Sequence, residues 1–230
     1  MLHITDLIID YSDSTRAIDT VGFSIEEGES VALIGANGAG KTSLLLSLVG
    51  VLPPTSGEIR VGGSLLDKKS MREIRSRVGL VFQNPDDQLF MPTIGEDVAF
   101  GPRSFGYDEE EVAQRVSIAL SELGIEHLQN RSPIKLSSGE KRLAAIATVL
   151  AMNPQLLLFD EPTAFLDPRA RRNLISVVAK LPQAKLIASH DLAFVGKVCT
   201  RVLLLEKGKL ITDAGPELLS DAEALELAGL

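Results

Sequence analysis

The sequence predicts an α/β fold with a mixed, mostly parallel core sheet, an antiparallel β flank and a helical subdomain. Three observations predict it. Short runs rich in Val, Leu and Ile recur with helix-like segments between them, at Ser30–Ile34, Val78–Phe82, Leu156–Phe159, Lys185–Ala188 and Val202–Leu205. That alternation favours βαβ units and parallel strands. The beginning of the chain differs: Leu2–Ile9 and Ala17–Ile25 read as antiparallel strands, with Gly28 and then Gly62-Gly63 as turn signals further on. Between about Asn84 and Ala151 the texture changes again. Turn residues come first, then Asp108–Gly124 and Ser138–Met152 carry apolar residues at helical spacing. Asp108 and the three glutamates after it are a helix start, since carboxylates in a first turn complement the helix dipole. The expectation is one domain over 1–230, with 1–83 and 152–230 as core and β flank and 84–151 as helical insertion.

Composition narrows the function classes. The 230 residues, 45% hydrophobic and 23% charged, suit a globular chain with a substantial core. A net charge of -8 argues against broad attraction to nucleic acid or anionic lipid. Cys199 is the only cysteine, which excludes an intrachain disulfide and favours a reducing compartment, the cytosol. The start, Met1 to Asp6, has no basic region followed by an apolar core, and no apolar stretch reaches the roughly 18 residues that span a bilayer. The chain is expected neither to be secreted nor to cross a membrane by itself.

The chemistry begins at Gly35-Ala36-Asn37-Gly38-Ala39-Gly40-Lys41-Thr42. A short apolar strand precedes it and a helix, Lys41–Val49 closed by Gly50, comes after it, which is the context a phosphate-binding loop requires. Gly35, Gly38 and Gly40 let the backbone curl so that its N–H groups, those of Asn37 and Ala39 included, face phosphate oxygens, and the helix N-terminus adds positive potential. Lys41 is placed for β- and γ-phosphates and the Thr42 hydroxyl for Mg²⁺, with Ser43 as an alternate phosphate contact. The fold class becomes a P-loop NTPase, and a nucleoside triphosphate with Mg²⁺ its expected ligands.

A second acidic site is expected at another strand end, and Leu156-Leu157-Leu158-Phe159-Asp160-Glu161 supplies it. Asp160 suits the Mg²⁺ shell, directly or through water, and Glu161 is placed to orient or deprotonate an attacking water. Lys185–Ala188 likewise ends in Ser189-His190-Asp191, and Val78–Phe82 ends in Gln83. Polar residues at the carboxyl ends of strands mark where open α/β sheets bind ligands. There His190 can contact the γ-phosphate, and Gln83 can sense Mg²⁺ and water.

With these motifs in this order, the chain resembles ATP-binding-cassette (ABC) ATPases over essentially its whole length. Leu136-Ser137-Ser138-Gly139-Glu140 occupies the family's signature position. The resemblance implies a head-to-tail pair of ATPase subunits, homodimer or heterodimer, with two ATP molecules sandwiched and Ser137, Ser138, Gly139 and Glu140 facing the partner's nucleotide. It also implies that Tyr11 stacks on adenine, the alternative being a strand aromatic in the core, and that Leu166-Asp167 links the two sites. The family usually has glycine where Ser138 stands and glutamine where Glu140 stands, and Phe165 replaces a small residue. Ser138 adds a Cβ and hydroxyl beside a crowded phosphate site, and Glu140 adds a carboxylate near the partner's nucleotide. The expectation is an active ATPase with a tuned signature.

Phe82–Phe90 and Glu96–Pro102 are similar to ATPases of energy-coupling factor (ECF) and cobalt-transporter type. That resemblance implies a transmembrane coupling protein docking just after Gln83, a substrate-binding membrane subunit, import of a metal ion such as cobalt or nickel or a vitamin such as biotin, and a peripheral place on the cytoplasmic side of the membrane. No nucleic-acid partner is expected. The rival readings are a soluble ABC ATPase without a transport role and a low-turnover nucleotide-binding regulator. One P-loop in an acidic chain of 230 residues, without a second cassette, argues against the first rival.

Overall fold

Ser30–Ile34, Leu156–Asp160 and Ala184–Ala188 are buried at every position, as strands covered on both faces must be. The computed structural model of the protein describes residues 1–227 and 229. In chain order its elements are β1 (Leu2–Asp10), β2 (Arg16–Ile25), β3 (Ser30–Ile34), α1 (Lys41–Leu48), β4 (Ser56–Val61), β5 (Ser64–Leu65), α2 (Met71–Arg77) and β6 (Val78–Val81). Next come α3 (Ile94–Phe105), α4 (Glu109–Glu122), α5 (Ser138–Leu150), β7 (Leu156–Asp160), α6 (Pro168–Lys180), β8 (Ala184–Ala188), α7 (Leu192–Val198), β9 (Arg201–Glu206), β10 (Lys209–Ala214) and α8 (Ala222–Leu227). Two compact units form: Met1–Leu80 with Gln155–Glu161 and Pro182–Leu230, and Val81–Pro154 with Pro162–Leu181.

The first unit is built on a six-stranded sheet of order β10-β9-β3-β8-β7-β6 and a four-stranded sheet of order β2-β1-β4-β5. β3 pairs in parallel with β8 and β9, and β7 with β8, while β10 runs antiparallel to β9. The pairs of the smaller sheet are antiparallel. The mixed sheet and antiparallel flank expected from the sequence are both present. Along β1 the buried positions are Leu2, Ile4, Leu7 and Ile9, so the alternation slips by one after Ile4. Asp6, at φ 46°, takes up that slip, and the register to β2 shifts between Ile4 and Leu7, as at a β-bulge. The core between the sheets and α1 holds Leu33, Leu44, Leu48, Leu158, Leu186 and Leu203 among many others.

Register decides where function sits. Ala188 is the cross-strand partner of Leu33 on one side and of Asp160 on the other. The carboxyl ends of β3, β8 and β7 are therefore level and adjacent, and the loops leaving these three strands emerge at one edge.

The second unit is helical. α3, α4 and α5 bury Val98 and Ala99, Val112 and Leu120, and Ile146 and Ala147 respectively. Each starts on a side-chain cap: Thr93 accepts the Glu96 N–H, Asp108 the Glu111 N–H, and Ser137 the Glu140 N–H. Asp108 is thus the helix start that its sequence suggested. α6 buries Leu174 and Val178 and approaches α5 closely, since a Cβ on Gly139 would stand 2.8 Å from Ala170 Cβ.

Candidate functional site

The loop after β3 is shaped by two glycines. Gly35 has φ 152° and a Cβ there would stand 2.1 Å from the Leu205 carbonyl oxygen; Gly40 has φ 106° and its Cβ would stand 2.4 Å from the Ala17 carbonyl oxygen. Neither position can carry a side chain. Gly40 is also the N-cap of α1 and contributes no capping side chain, so the amides of that first turn are open to an anion. Asn37 and Gly38 are exposed and Ala39 is buried at 4%.

Lys41 curls back over the loop, its Nζ donating to the Gly35 carbonyl at 2.6 Å and the Ala36 carbonyl at 3.1 Å. Burial lowers the pKa of this ammonium, and the nearby Glu161 and Asp160 carboxylates partly oppose the shift. Thr42 Oγ1 donates to Asp160 Oδ2 at 2.9 Å. A hydroxyl and a carboxylate joined in this way are hard oxygen donors of the kind Mg²⁺ takes. Ser43 Oγ and the Tyr11 hydroxyl are 2.6 Å apart. Tyr11 is 43% exposed at the end of β1, so it is not a core aromatic and its ring has an accessible face.

Glu161, at φ 43°, comes directly after β7 in the left-handed region, with its N–H bonded to the Ala188 carbonyl at 2.8 Å. Its Oε2 lies 2.8 Å from His190 Nδ1 and accepts the His190 backbone N–H at 3.2 Å. Glu161 is buried while the His190 side chain is 62% exposed. A buried carboxylate is thereby aimed by a ring that reaches solvent. One unit therefore brings together Tyr11, residues 35–43, Asp160, Glu161 and His190.

Gln83 and Ser137–Glu140 belong to the helical unit, where the structure joins them through a residue that the sequence did not single out. Arg142, on α5, is 1% exposed and donates from Nη1 to the Phe82 carbonyl and from Nη2 to the Gln83 carbonyl, each at 2.6 Å. Ser137 and Glu140 form a capping box, with Glu140 Oε2 accepting from the Ser137 N–H at 2.8 Å and the Ser137 hydroxyl at 2.7 Å. A cavity of about 600 Å³ is lined by Ser137, Gly139, Glu140, Asp167 and Arg169, and one of about 250 Å³ by Ser138, Lys141, Phe165 and Asp86. Phe165 is 81% exposed at φ 62°.

Near Gln83 the same unit presents aromatic surface. Phe90 and Phe100 are exposed and meet edge to face with centroids 5.0 Å apart. Asp97 is 3% exposed, and its Oδ1 accepts the N–H groups of Phe90 and Met91, both at 2.9 Å. Burial raises the pKa of this carboxyl, and the two N–H donors oppose that shift.

A family model described as ABC transporter matches residues 18–164. The energy-coupling factor transporter ATP-binding protein EcfA of Methanothermobacter thermautotrophicus is 43% identical over 236 residues, covering 100% of this chain and 76% of that protein. Among solved structures, cbiO1 from Clostridium perfringens, part of the ABC transporter complex cbiONQ, superposes with a TM-score of 0.87 at 35% identity, over 97% of this chain and 92% of that one. The ATP-binding cassette MJ0796, a dimer bound to ADP and Pi in a post-hydrolysis state, gives a TM-score of 0.82 at 26% identity, over 94% of this chain and 99% of that one.

Proposed function

The chain belongs to the ABC transporter family and is an ATPase, and from that premise we propose that it is the ATP-hydrolysing subunit of an ECF-type importer. Its substrate is small, a metal ion such as cobalt or nickel or a vitamin such as biotin, bound by other subunits. The observation that carries the reading is the level edge of β3, β8 and β7, which sets the glycine loop, the Thr42–Asp160 pair and the Glu161–His190 pair beside one another.

In this reading the amides of the loop and of the first turn of α1 hold the phosphates. Lys41 leaves the Gly35 and Ala36 carbonyls for the β- and γ-phosphate oxygens, and the Tyr11 ring stacks on the adenine. Thr42 and Asp160 would hold Mg²⁺, which neutralises phosphate charge when bound, and the family resemblance gives Gln83 the role of sensing it. Glu161 orients the attacking water and takes its proton as the new P–O bond forms and the bond from the γ-phosphorus to the bridging oxygen breaks. His190 fixes the Glu161 carboxylate and reaches the γ-phosphate with its exposed ring. ADP and inorganic phosphate leave.

One chain supplies each half of a site. Ser137, Gly139 and Glu140 line one cavity and Ser138 another at the capped start of α5, which supports their acting on ATP held by a second, head-to-tail cassette. The dimeric ADP-bound neighbour is consistent with that pairing. Closure on two nucleotides and reopening after hydrolysis bias a coupling protein in the membrane. The exposed Phe90 and Phe100 rings, which meet edge to face while Asp97 holds the Phe90 backbone N–H, suit its apolar contact helix. No helix among the described residues is long and apolar enough to cross a membrane. In this reading the chain sits peripherally on the cytoplasmic face of the membrane, held there by its coupling protein.

Affinity purification of the tagged chain in detergent tests the transporter reading. A polytopic membrane protein is expected to co-purify and to change the ATPase rate. A wholly soluble set of partners refutes it.

A further inference from the structure

The segment from Phe82 to Gln88 is attached to α5 at three points. Arg142 holds the carbonyls of Phe82 and Gln83, both at 2.6 Å. Lys141 Nζ meets Asp86 Oδ1 at 2.6 Å. Gln88 Nε2 donates to the Ala145 carbonyl and to Thr148 Oγ1, both at 2.8 Å, while Gln88 Oε1 accepts the Phe82 N–H at 3.1 Å. The three differ in exposure. In the Lys141–Asp86 pair the Lys141 side chain is 20% exposed but Asp86 is 60% exposed, and a pair open to solvent on one side contributes little. Arg142 is buried at 1% exposure, and a guanidinium is costly to bury unless its donors are engaged. Its planar fork engages consecutive carbonyls, which fixes both position and orientation of the backbone at residue 83.

We infer that Arg142 is a positioning residue for hydrolysis: it makes the Gln83 backbone and the first turn of the signature helix move as one piece. Ser138 begins α5 and Arg142 lies one turn further along it, so the distance from the fork to the signature is a single rigid turn. Gln88 ties the Phe82 N–H to α5 as well, but it is Arg142 that α5 places on the Phe82 and Gln83 carbonyls, so its loss frees the direction of the backbone at residue 83. The inference rests on the proposed function, in which Gln83 has the role of sensing Mg²⁺ and water and Ser137–Glu140 that of acting on the partner's nucleotide. Under it, the fork transmits the state of one ATP site to the other, and the coupling energy is carried by a named contact instead of by proximity alone.

The test compares Arg142→Lys, Arg142→Met, Gln83→Ala and the double variant Gln83→Ala/Arg142→Met in the full chain, by steady-state ATPase and by equilibrium binding of a fluorescent ATP analogue. Arg142→Met is expected to lower kcat by about 10- to 100-fold, to leave nucleotide affinity within about twofold, and to bring a Hill coefficient above 1 down to about 1. Arg142→Lys, which can hold one carbonyl, is expected to fall between. In the Gln83→Ala background Arg142→Met is expected to cost nothing further, because the element it positions is gone. An Arg142→Met effect as large in that background as in the parent overturns the inference, as does a loss of affinity with kcat unchanged. Should Arg142→Met not fold, Arg142→Lys decides, and an unaltered kcat and Hill coefficient overturn it. Full activity of Gln83→Ala overturns the underlying assignment of Gln83 and the coupling with it. That outcome is separable from failure of the coupling alone, in which Gln83→Ala is slow and Arg142 acts independently.

Discussion

Glu161 Oε2 lies 2.8 Å from His190 Nδ1 and accepts the His190 N–H at 3.2 Å, so a single oxygen takes both contacts and Oε1 is left to the site. Replacing Glu161 by glutamine preserves an oxygen that can accept from His190 but removes the group that takes a proton. Glu161→Gln is therefore expected to bind ATP as the parent does, to accumulate a nucleotide-bound dimer, and to hydrolyse about 10²- to 10⁴-fold more slowly. Single-turnover hydrolysis and size-exclusion chromatography with ATP read both effects. Normal steady-state turnover in this variant would remove Glu161 from the role.

Lys41 separates stability from function. Its ammonium is buried, and burial lowers its pKa, so the folded state binds the proton less well than the unfolded chain. Stability then increases as pH rises between the lowered folded value and the ordinary lysine value, and the charged group is a liability below that window. Lys41→Met is expected to have a Tm at neutral pH no lower than the parent's without nucleotide. ATP should raise the parent's Tm by mass action and leave the variant's unmoved. A variant that still responds to millimolar ATP contradicts the placement of Lys41 on the phosphates.

The strand ends were legible because each is encoded locally. Leu156–Phe159 is an uninterrupted apolar run followed at once by Asp160 and Glu161, and the same holds before Gly35 and before Ser189-His190. The Thr42–Asp160 contact joins residues 118 apart in sequence, yet it is implied once both strands are placed in one sheet. Arg142 was not legible. Its partners lie 60 and 59 residues away, and an arginine in a helix reads as a solvated face. Buried Asp97 hides in the same way among the acidic residues that open α3. α6 was not legible either, because Pro168-Arg169-Ala170-Arg171-Arg172 looks like surface and only Leu174 and Val178 are buried within the helix.

Cys199 is 6% exposed, and burial pushes its thiol up to about 12, with Lys185 pulling weakly the other way. At pH 8 almost none of it is the reactive thiolate, whereas a free cysteine near 8.5 is substantially ionised. Iodoacetamide labelling of the native chain is expected to be on the order of 10² to 10³-fold slower than in denaturant. Mass spectrometry of timed samples measures it, and comparable rates would mean that the β9 side of the core opens readily.

Phe165 holds a left-handed backbone with its ring in solvent. A non-glycine residue there costs about 1–2 kcal/mol relative to the right-handed region, which glycine avoids while losing about 0.5–1 kcal/mol to chain entropy. Phe165→Gly is thus expected to hold or slightly raise Tm. If the ring serves the pairing of two cassettes, the same substitution shortens the lifetime of the ATP-bound dimer. A lifetime unchanged in the Glu161→Gln background, where the dimer is trapped, would remove Phe165 from that interface.

Glu140 is the departure whose consequence the structure makes most concrete. The Ser137 hydroxyl donates to its carboxylate at 2.7 Å, and a hydroxyl has one proton to give. That hydrogen bond, with the Ser137 N–H second, holds the Glu140 carboxyl below the usual carboxylate range. Glu140 therefore stabilises the fold above the ordinary glutamate value of about 4.3, and the contribution is lost as pH falls through the lowered folded value. At neutral pH the carboxylate is charged and competes with any phosphate oxygen for the Ser137 proton. A neutral amide oxygen competes less, since charge-assisted hydrogen bonds are roughly twice as strong. Glu140→Gln is expected to keep the helix cap and to raise the steady-state ATPase rate several-fold. Glu140→Ala loses the capping box, at about 1 kcal/mol, and the Tm gap between it and the parent closes as pH drops below about 4. A Glu140→Gln rate equal to or below the parent's would show that the Ser137 proton is not what limits the signature.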